Sequence, residues 1–319
     1  MTDSVVLAEV VRSGFVEGRH WGSLVVLDGD GSIAAALGDP QSVVLPRSAN
    51  KPMQAAAMVD AGLDVPAHLL ALAAASHSGE SFHLAGVREI LSAAGLTDDA
   101  LQTPPELPYG VATRAEWIRS GRPASRVAMN CSGKHAAMLA TCVLRGWDVA
   151  TYLDPDHPLQ IAIARFISDV ADEPLDVVGV DGCGAPLVGL SLIGLARAFH
   201  RHVVDDETDP TRRVADAMRN FPEWVGGTDR DVTDLMRGVH GLLAKDGAEA
   251  VYAAALPDGR SVALKIDDGG QRARPVVMAS VLIRLGLRSP VLEQQSTEPL
   301  LGGGAVVGEL RASAAVRAL

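Results

Sequence analysis

Apolar and polar positions alternate at the start of the chain and then change period. In "SVVLAEVV" and "GSLVVLDGDGSIAAALGD" apolar residues recur at every second position or in short runs, and Asp28-Gly29-Asp30-Gly31 interrupts the second stretch with turn residues. This is the pattern of an antiparallel hairpin. "QSVVLP" predicts one more short strand. After Ser48 the spacing lengthens to the helical period. Helices are predicted in the run that follows Ser48, in "PAHLLALAAAS", "FHLAGVREILSAAGL" and "HPLQIAIARFISDVAD", and in "CSGKHAAMLATCVLRGW" with Gly146 as its stop. "PLDVVGVDGCGAPLVGLSLIGLARAF" predicts a short strand, a glycine-rich turn and a helix, and "ETDPTRRVADAMRNFPEWVGG" and "DVTDLMRGV" predict more polar helices. Strand patterning returns in "GAEAVYAAALPDGRSVALKIDDG", a hairpin turning at Pro257-Asp258-Gly259. "PVVMASVLIRLGL" is a late helix and "GGGAVVGELRAS" a last strand.

Strands, then helices, then strands predict an α+β fold, in which both chain ends meet in one antiparallel sheet with the helical block packed beside it. The chain reads as a single domain over residues 1–319, its helical subregion at roughly 48–240.

Composition narrows the function. Of 319 residues, 48% are hydrophobic and 21% charged, enough for a sizeable core. A formal net charge of −11 disfavours nucleic acid and anionic membrane as partners, so the expected substrate is a small molecule and any positive charge in its site is local. "MTDSVVLAEVVRSGF" lacks the basic n-region of a signal peptide, and no uncharged apolar run reaches the roughly 18 residues of a membrane span. Three cysteines, Cys131, Cys142 and Cys183, are too few for a disulfide framework, and a cytoplasmic location is expected. Of 28 basic residues only Lys51, Lys134, Lys245 and Lys265 are lysines. Arginine serves wherever a surface cation will do, so a retained lysine points to work that needs a group able to lose its proton.

Three stretches carry candidate chemistry. In "RSANKPMQ", Pro52 is tolerated only in a first helical turn, so a helix starts close to Ser48. Ser48 and Lys51, three residues apart, then meet at a helix N-terminus, where a desolvated lysine can activate a serine; the plainer alternative is an N-cap serine and a surface lysine. In "AMNCSGKHAAMLATC" and "GVDGCGAPL", Cys131 and Cys183 with one nitrogen ligand would make an open zinc site. His135 is the ordinary nitrogen ligand and Lys134 a rarer one; alternatively both cysteines are small buried hydrophobes. Cys142, among Ala and Leu, is a core residue. In "AAASHSGESFH", Ser76, His77, Ser78 and His83 form either a pocket wall or a capped polar loop. Lys265 faces opposite to Val262, Leu264 and Ile266 on its strand, and Lys245 precedes a turn and reads as surface.

Taken together, "RSANKPMQ", "ASHSGE", "NCSGKHAAML" and "GVDGCGAP", with "GFVEGRHWGSLVVLD" near the start and "GGGAVVGELR" near the end, resemble the L-asparaginase II family, the rhizobial-type or class 3 asparaginases. The resemblance implies a fold like the serine β-lactamases and glutaminases, a homodimer, and hydrolysis of L-asparagine to L-aspartate and ammonia. It implies Ser48 as nucleophile with Lys51, a second pair formed by Ser76 and Lys265, and Zn2+ held by Cys131, Lys134 and Cys183 with water completing the site. Asp181 would contact the water or the substrate, and Arg47, His77 and Asn130 are further expected substrate contacts. The chain departs from the family pattern in "GAPLVG", where polar residues are expected after the aspartate-glycine-cysteine string. The alternatives are a glutaminase or other serine amidohydrolase of the same fold, or a non-catalytic zinc- or amino-acid-binding protein. No S-D-N and K-T-G set supports a β-lactamase.

Overall fold

A computed structural model describes residues 3–319. The described residues divide into two compact units, one made of 3–49 with Leu190–Val204 and Asp234–Leu319, the other of Asn50–Gly189 and Asp205–Thr233.

The first unit holds an antiparallel sheet of eight strands. In spatial order they are Thr297–Gly302, Ala305–Ala312, Val5–Arg12, Phe15–Leu27, Ser261–Ile266, Val251–Ala255 and Leu243–Asp246, with Ile33–Leu37 paired to the second half of Phe15–Leu27. The chain ends do meet, with Ala8 opposite Ala312 and Val10 opposite Leu310. Phe15–Leu27 changes partner along its length. Its first part pairs with Val5–Arg12 and its second with Ser261–Ile266. The change falls at Gly22, where a Cβ would collide with the Lys265 carbonyl. Both expected hairpin turns are present, with Gly31 at φ +82 and Gly259 at φ +92. A third turn has Ser13 and Gly14 both at positive φ, the two-residue geometry that matches strand twist. Val251–Ala255 is buried along its whole length, so it reads as an apolar run rather than an alternation. Leu192–Val204 and Ala273–Arg284 pack on these strands.

One charge is placed differently from its sequence reading. Lys245, expected on the surface, lies on a fully buried strand segment. Its Nζ is 2.7 Å from Asp246 Oδ1 and donates to the Asp246 carbonyl at 2.7 Å. Arg274 approaches Asp246 Oδ2 at 3.2 Å and stacks over the Tyr252 ring at 4.9 Å. A lysine is admitted to the interior here because a buried carboxylate meets it.

The second unit is helical. Lys51–Asp60 is buried on nearly every side and packs against Pro158–Ala171, Pro210–Asn220 and Ser132–Arg145. Ser132–Arg145 ends at Gly146 in the left-handed conformation, as its sequence predicts. It also packs against Ala67–Ala73 and Ser81–Ala93, and at Gly133 any Cβ would press on the Leu72 backbone. Val111–Arg119 escapes a periodicity reading because only Trp117 is buried on it. Val178–Val180 pairs with Pro186–Val188, so the "DGCG" string is the turn of a small hairpin. Among the described residues no helix is long and apolar enough to cross a membrane.

Candidate active site

The helical unit gathers most of the candidate residues. Lys51, the first residue of its helix, is 1% exposed. Its Nζ is 2.5 Å from the Ala75 carbonyl, 3.0 Å from Ser76 Oγ and 3.0 Å from Cys131 Sγ. The hydroxyl that Lys51 meets is therefore that of Ser76. Ser48 lies in the one-turn 3-10 helix Arg47–Asn50, half-buried. A buried amine needs strong acceptors close by, and the segment that ends Ala67–Ala73 provides them. Arg47 takes φ +51, and its guanidinium is 3.9 Å from Glu249 Oε1.

Lys265 lies in the sheet unit. Its Nζ donates to the carbonyls of Ile266 at 2.5 Å and Glu249 at 2.7 Å, and burial lowers its pKa. Three of the four lysines, Lys51, Lys134 and Lys245, are buried. The scarcity of lysine was the signal for Lys245, which its local sequence hides. Gly247, two residues on, packs against the Pro46 carbonyl and the Ala49 nitrogen, which brackets Ser48.

The sulfur cluster stands next to Lys51. Cys131 occupies the N-cap of Ser132–Arg145, and Cys183 the turn of the small hairpin. Both pack on Met129, Ala185 and Leu153, so the small-hydrophobe reading describes one side of each. On the other side Lys134 Nζ is 3.2 Å from Cys183 Sγ, and Asn130 Oδ1 is 3.1 Å from Cys131 Sγ. A hydrogen bond between the two sulfurs, with Lys134 and His135 adding to it, holds the Cys183 thiol far below its ordinary value. The same bond, with burial, pushes Cys131 up. Burial works against the Lys134 ammonium, yet the sulfurs and Asp181 overcome it and raise the group. Asp181 Oδ2 is 3.8 Å from Cys183 Sγ.

Among the described residues no three His, Cys, Asp or Glu side chains cluster around a common metal position. The set at hand has two sulfurs and a lysine nitrogen. His135 adds a further observation. It is buried, with Nδ1 2.8 Å from Tyr152 Oη and the ring interacting with Cys183. Two sulfurs, an amine and an imidazole nitrogen are a donor set that suits a thiophilic cation such as zinc.

His77 is packed for structure. Its Nδ1 accepts from Gly79 N at 3.1 Å, so the proton sits on Nε2, 2.9 Å from Ser132 Oγ. His83 stacks on it, accepts from Glu80 N and shares 2.9 Å with the Glu223 carbonyl. Burial holds His77 well below its ordinary value and His83 down to about 4. A neutral ring in the fold makes the unfolded chain the better proton binder below about pH 6.5, so stability falls as pH drops from there toward 4. Urea unfolding between these limits is expected to show His83 contributing a loss of about 3 kcal/mol, and His83→Gln a correspondingly flatter profile.

The family model for L-asparaginase II matches residues 8–312. A match over nearly the whole chain makes the protein an amidohydrolase by class, acting on a small molecule. The chain belongs to the L-asparaginase II family. Its structure is similar to a β-lactamase (Mb2281c) from Mycobacterium bovis, at 14% identity over 83% of this chain and 95% of that one, TM-score 0.46. It is similar also to Mglu, at 14% identity over 83% and 67% of the two chains, TM-score 0.43. A third likeness is EstCE1, a hydrolase with promiscuous acyltransferase activity, at 12% identity over 79% and 91%, TM-score 0.42. No curated protein matches the chain.

Proposed function

We propose that this protein hydrolyses L-asparagine to L-aspartate and ammonia by acyl transfer through Ser76, with Lys51 as the base. The observation that carries the reading is the buried 3.0 Å contact between Lys51 Nζ and Ser76 Oγ. A neutral lysine has two hydrogens and a lone pair. With the hydrogens directed to the Ala75 carbonyl and Cys131 Sγ, the lone pair is left for the Ser76 hydroxyl. Lys51 takes the serine proton as Ser76 Oγ attacks the side-chain amide carbon. The C–N bond then breaks, and the proton passes to the nitrogen, which leaves as ammonia. Water hydrolyses the resulting ester by the same proton route and restores Ser76.

The reading includes zinc, held by Cys131, Cys183 and Lys134, with His135 beside Cys183. Bound there, zinc would supply a Lewis acid for a carbonyl oxygen or a water. Asp181 and Asn130, beside the two sulfurs, are the proposed polar contacts for a ligand at that position. A homodimer is proposed with it, tested by light scattering for twice the chain mass.

The test is an ammonia-release assay on L-asparagine and L-glutamine, with zinc quantified in the same sample. Turnover of asparagine in preference to glutamine with about one zinc per chain supports the reading. Ser76→Ala is expected to lower kcat by about a thousandfold, and Ser48→Ala much less. The reverse order would return the nucleophile to Ser48, whose half-exposed turn is the more open of the two sites.

A further inference from the structure

All three cysteines are buried free thiols, but their surroundings differ. Cys142 stands within the helix Ser132–Arg145, and burial pushes its thiol up to about 11, as for an inert core cysteine. Cys131 caps the start of that helix, Cys183 sits on the turn of the small hairpin, and a hydrogen bond joins their sulfurs. Met129 and Ala185 pack around both. Two segments far apart along the chain thus place two thiols side by side within the helical unit. Each has an amine in contact, Lys51 Nζ at 3.0 Å from Cys131 Sγ and Lys134 Nζ at 3.2 Å from Cys183 Sγ. A basic neighbour makes a sulfur the better nucleophile. A reactive sulfur with a second one poised to resolve it is the arrangement of a thiol redox centre.

We propose that Cys131 and Cys183 form a reversible disulfide when the protein meets hydrogen peroxide, and that this bond competes with zinc for the same two sulfurs. The Cys131 sulfur attacks one peroxide oxygen. An S–O bond forms, the O–O bond breaks, and the departing oxygen takes the thiol proton and leaves as water. The Cys183 sulfur then attacks the Cys131 sulfur. The S–S bond forms, the S–O bond breaks, and the hydroxyl takes the second thiol proton and leaves as a second water. Two thiols are oxidised and one peroxide is reduced. Lys134 and His135 then lack the two sulfur donors on which such a metal site is built.

Access to the pair rests on the reading of Ser76 and Lys51 given above. A route that admits an amino-acid amide to Ser76 Oγ admits the smaller peroxide to the sulfur that shares Lys51 with it. Cys142 is the internal control. It lies about three turns along the helix from Cys131, roughly 16 Å, whereas a disulfide needs Cα atoms within about 7 Å.

The test treats the purified protein with hydrogen peroxide before and after its metal is stripped with a chelator. In the stripped protein, thiols counted in denaturant are expected to fall from three to one per chain. Peptide mapping is expected to join Cys131 to Cys183 and to leave Cys142 a thiol. The oxidised protein is expected to bind zinc at least about a hundredfold more weakly, and dithiothreitol to restore both thiols and zinc uptake. Zinc added beforehand is expected to slow the loss of thiols. Cys183→Ser is expected to stop at a sulfenic acid on Cys131, trapped with dimedone; the wild-type linkage map decides the matter if that variant does not fold. Three thiols retained, a linkage through Cys142 or between chains, or zinc binding unchanged by oxidation would each overturn the proposal. A protein that releases no ammonia from asparagine yet forms the linkage would remove the hydrolase reading and leave the disulfide standing. Ammonia release with all three thiols unchanged by peroxide would do the reverse.

Discussion

Lys51→Met is expected to reduce ammonia release from L-asparagine by about a thousandfold or more, the upper part of the range for loss of a general base. Methionine keeps the length and apolar stem of the side chain and removes only the amine. The Ala75 carbonyl, Ser76 Oγ and Cys131 Sγ then lose the group that joins them. The fall is expected in kcat, because the contact acts on the reacting hydroxyl rather than on substrate capture. Lys51→Arg is expected to be nearly as inactive, since a guanidinium does not give up its proton at neutral pH. Steady-state kinetics at pH 7, with circular dichroism of each variant, checks both. An arginine variant with near wild-type kcat would show that position 51 supplies charge and not a base.

Asp246→Ala is expected to destabilise the sheet unit by about 3–5 kcal/mol, the cost of stranding a buried charge. Lys245 and Arg274 both lean on this carboxylate, and all three residues are 5% exposed or less. Removing the acid takes from both cations the carboxylate they share. Lys245→Met is expected to cost less, because Asp246 keeps Arg274. Urea denaturation of the two variants gives the order directly. Equal midpoints for wild type and Asp246→Ala would mean that water replaces the carboxylate at no cost and that the network does not hold the strand.

The two halves of the molecule were legible to different degrees. The sheet was plain in the chain because hairpins are local. Asp28–Gly31 and Pro257–Gly259 bring their strands together by turn chemistry, and alternating positions show which residues face inward. The meeting of Val5–Arg12 with Ala305–Ala312 is not local, but matching strand patterns at the two ends foretold it. Val111–Arg119 was not legible, since a helix with one buried residue has no apolar stripe to reveal it.

The candidate site was legible as a set of residues and not as a set of pairs. Ser48, Lys51, Ser76, Cys131, Lys134 and Cys183 all stand out in the sequence by type and spacing. Spacing suggested that Lys51 would serve the serine three residues before it. The fold sends that side chain instead to a serine 25 positions later. A long flexible amine goes where buried acceptors best replace water, and those come from another segment. Lys245 makes the same point: its neighbours in sequence read as a surface turn, while its neighbours in space are a carboxylate and a sheet interior. The sequence by itself determined the elements, the sheet-forming ends and the inventory of reactive groups, because these follow from local propensity and periodicity. Tertiary structure alone decided which amine meets which hydroxyl or thiol, and that Arg230 meets the Ser76 carbonyl, because desolvation and hydrogen bonding act between groups far apart along the chain.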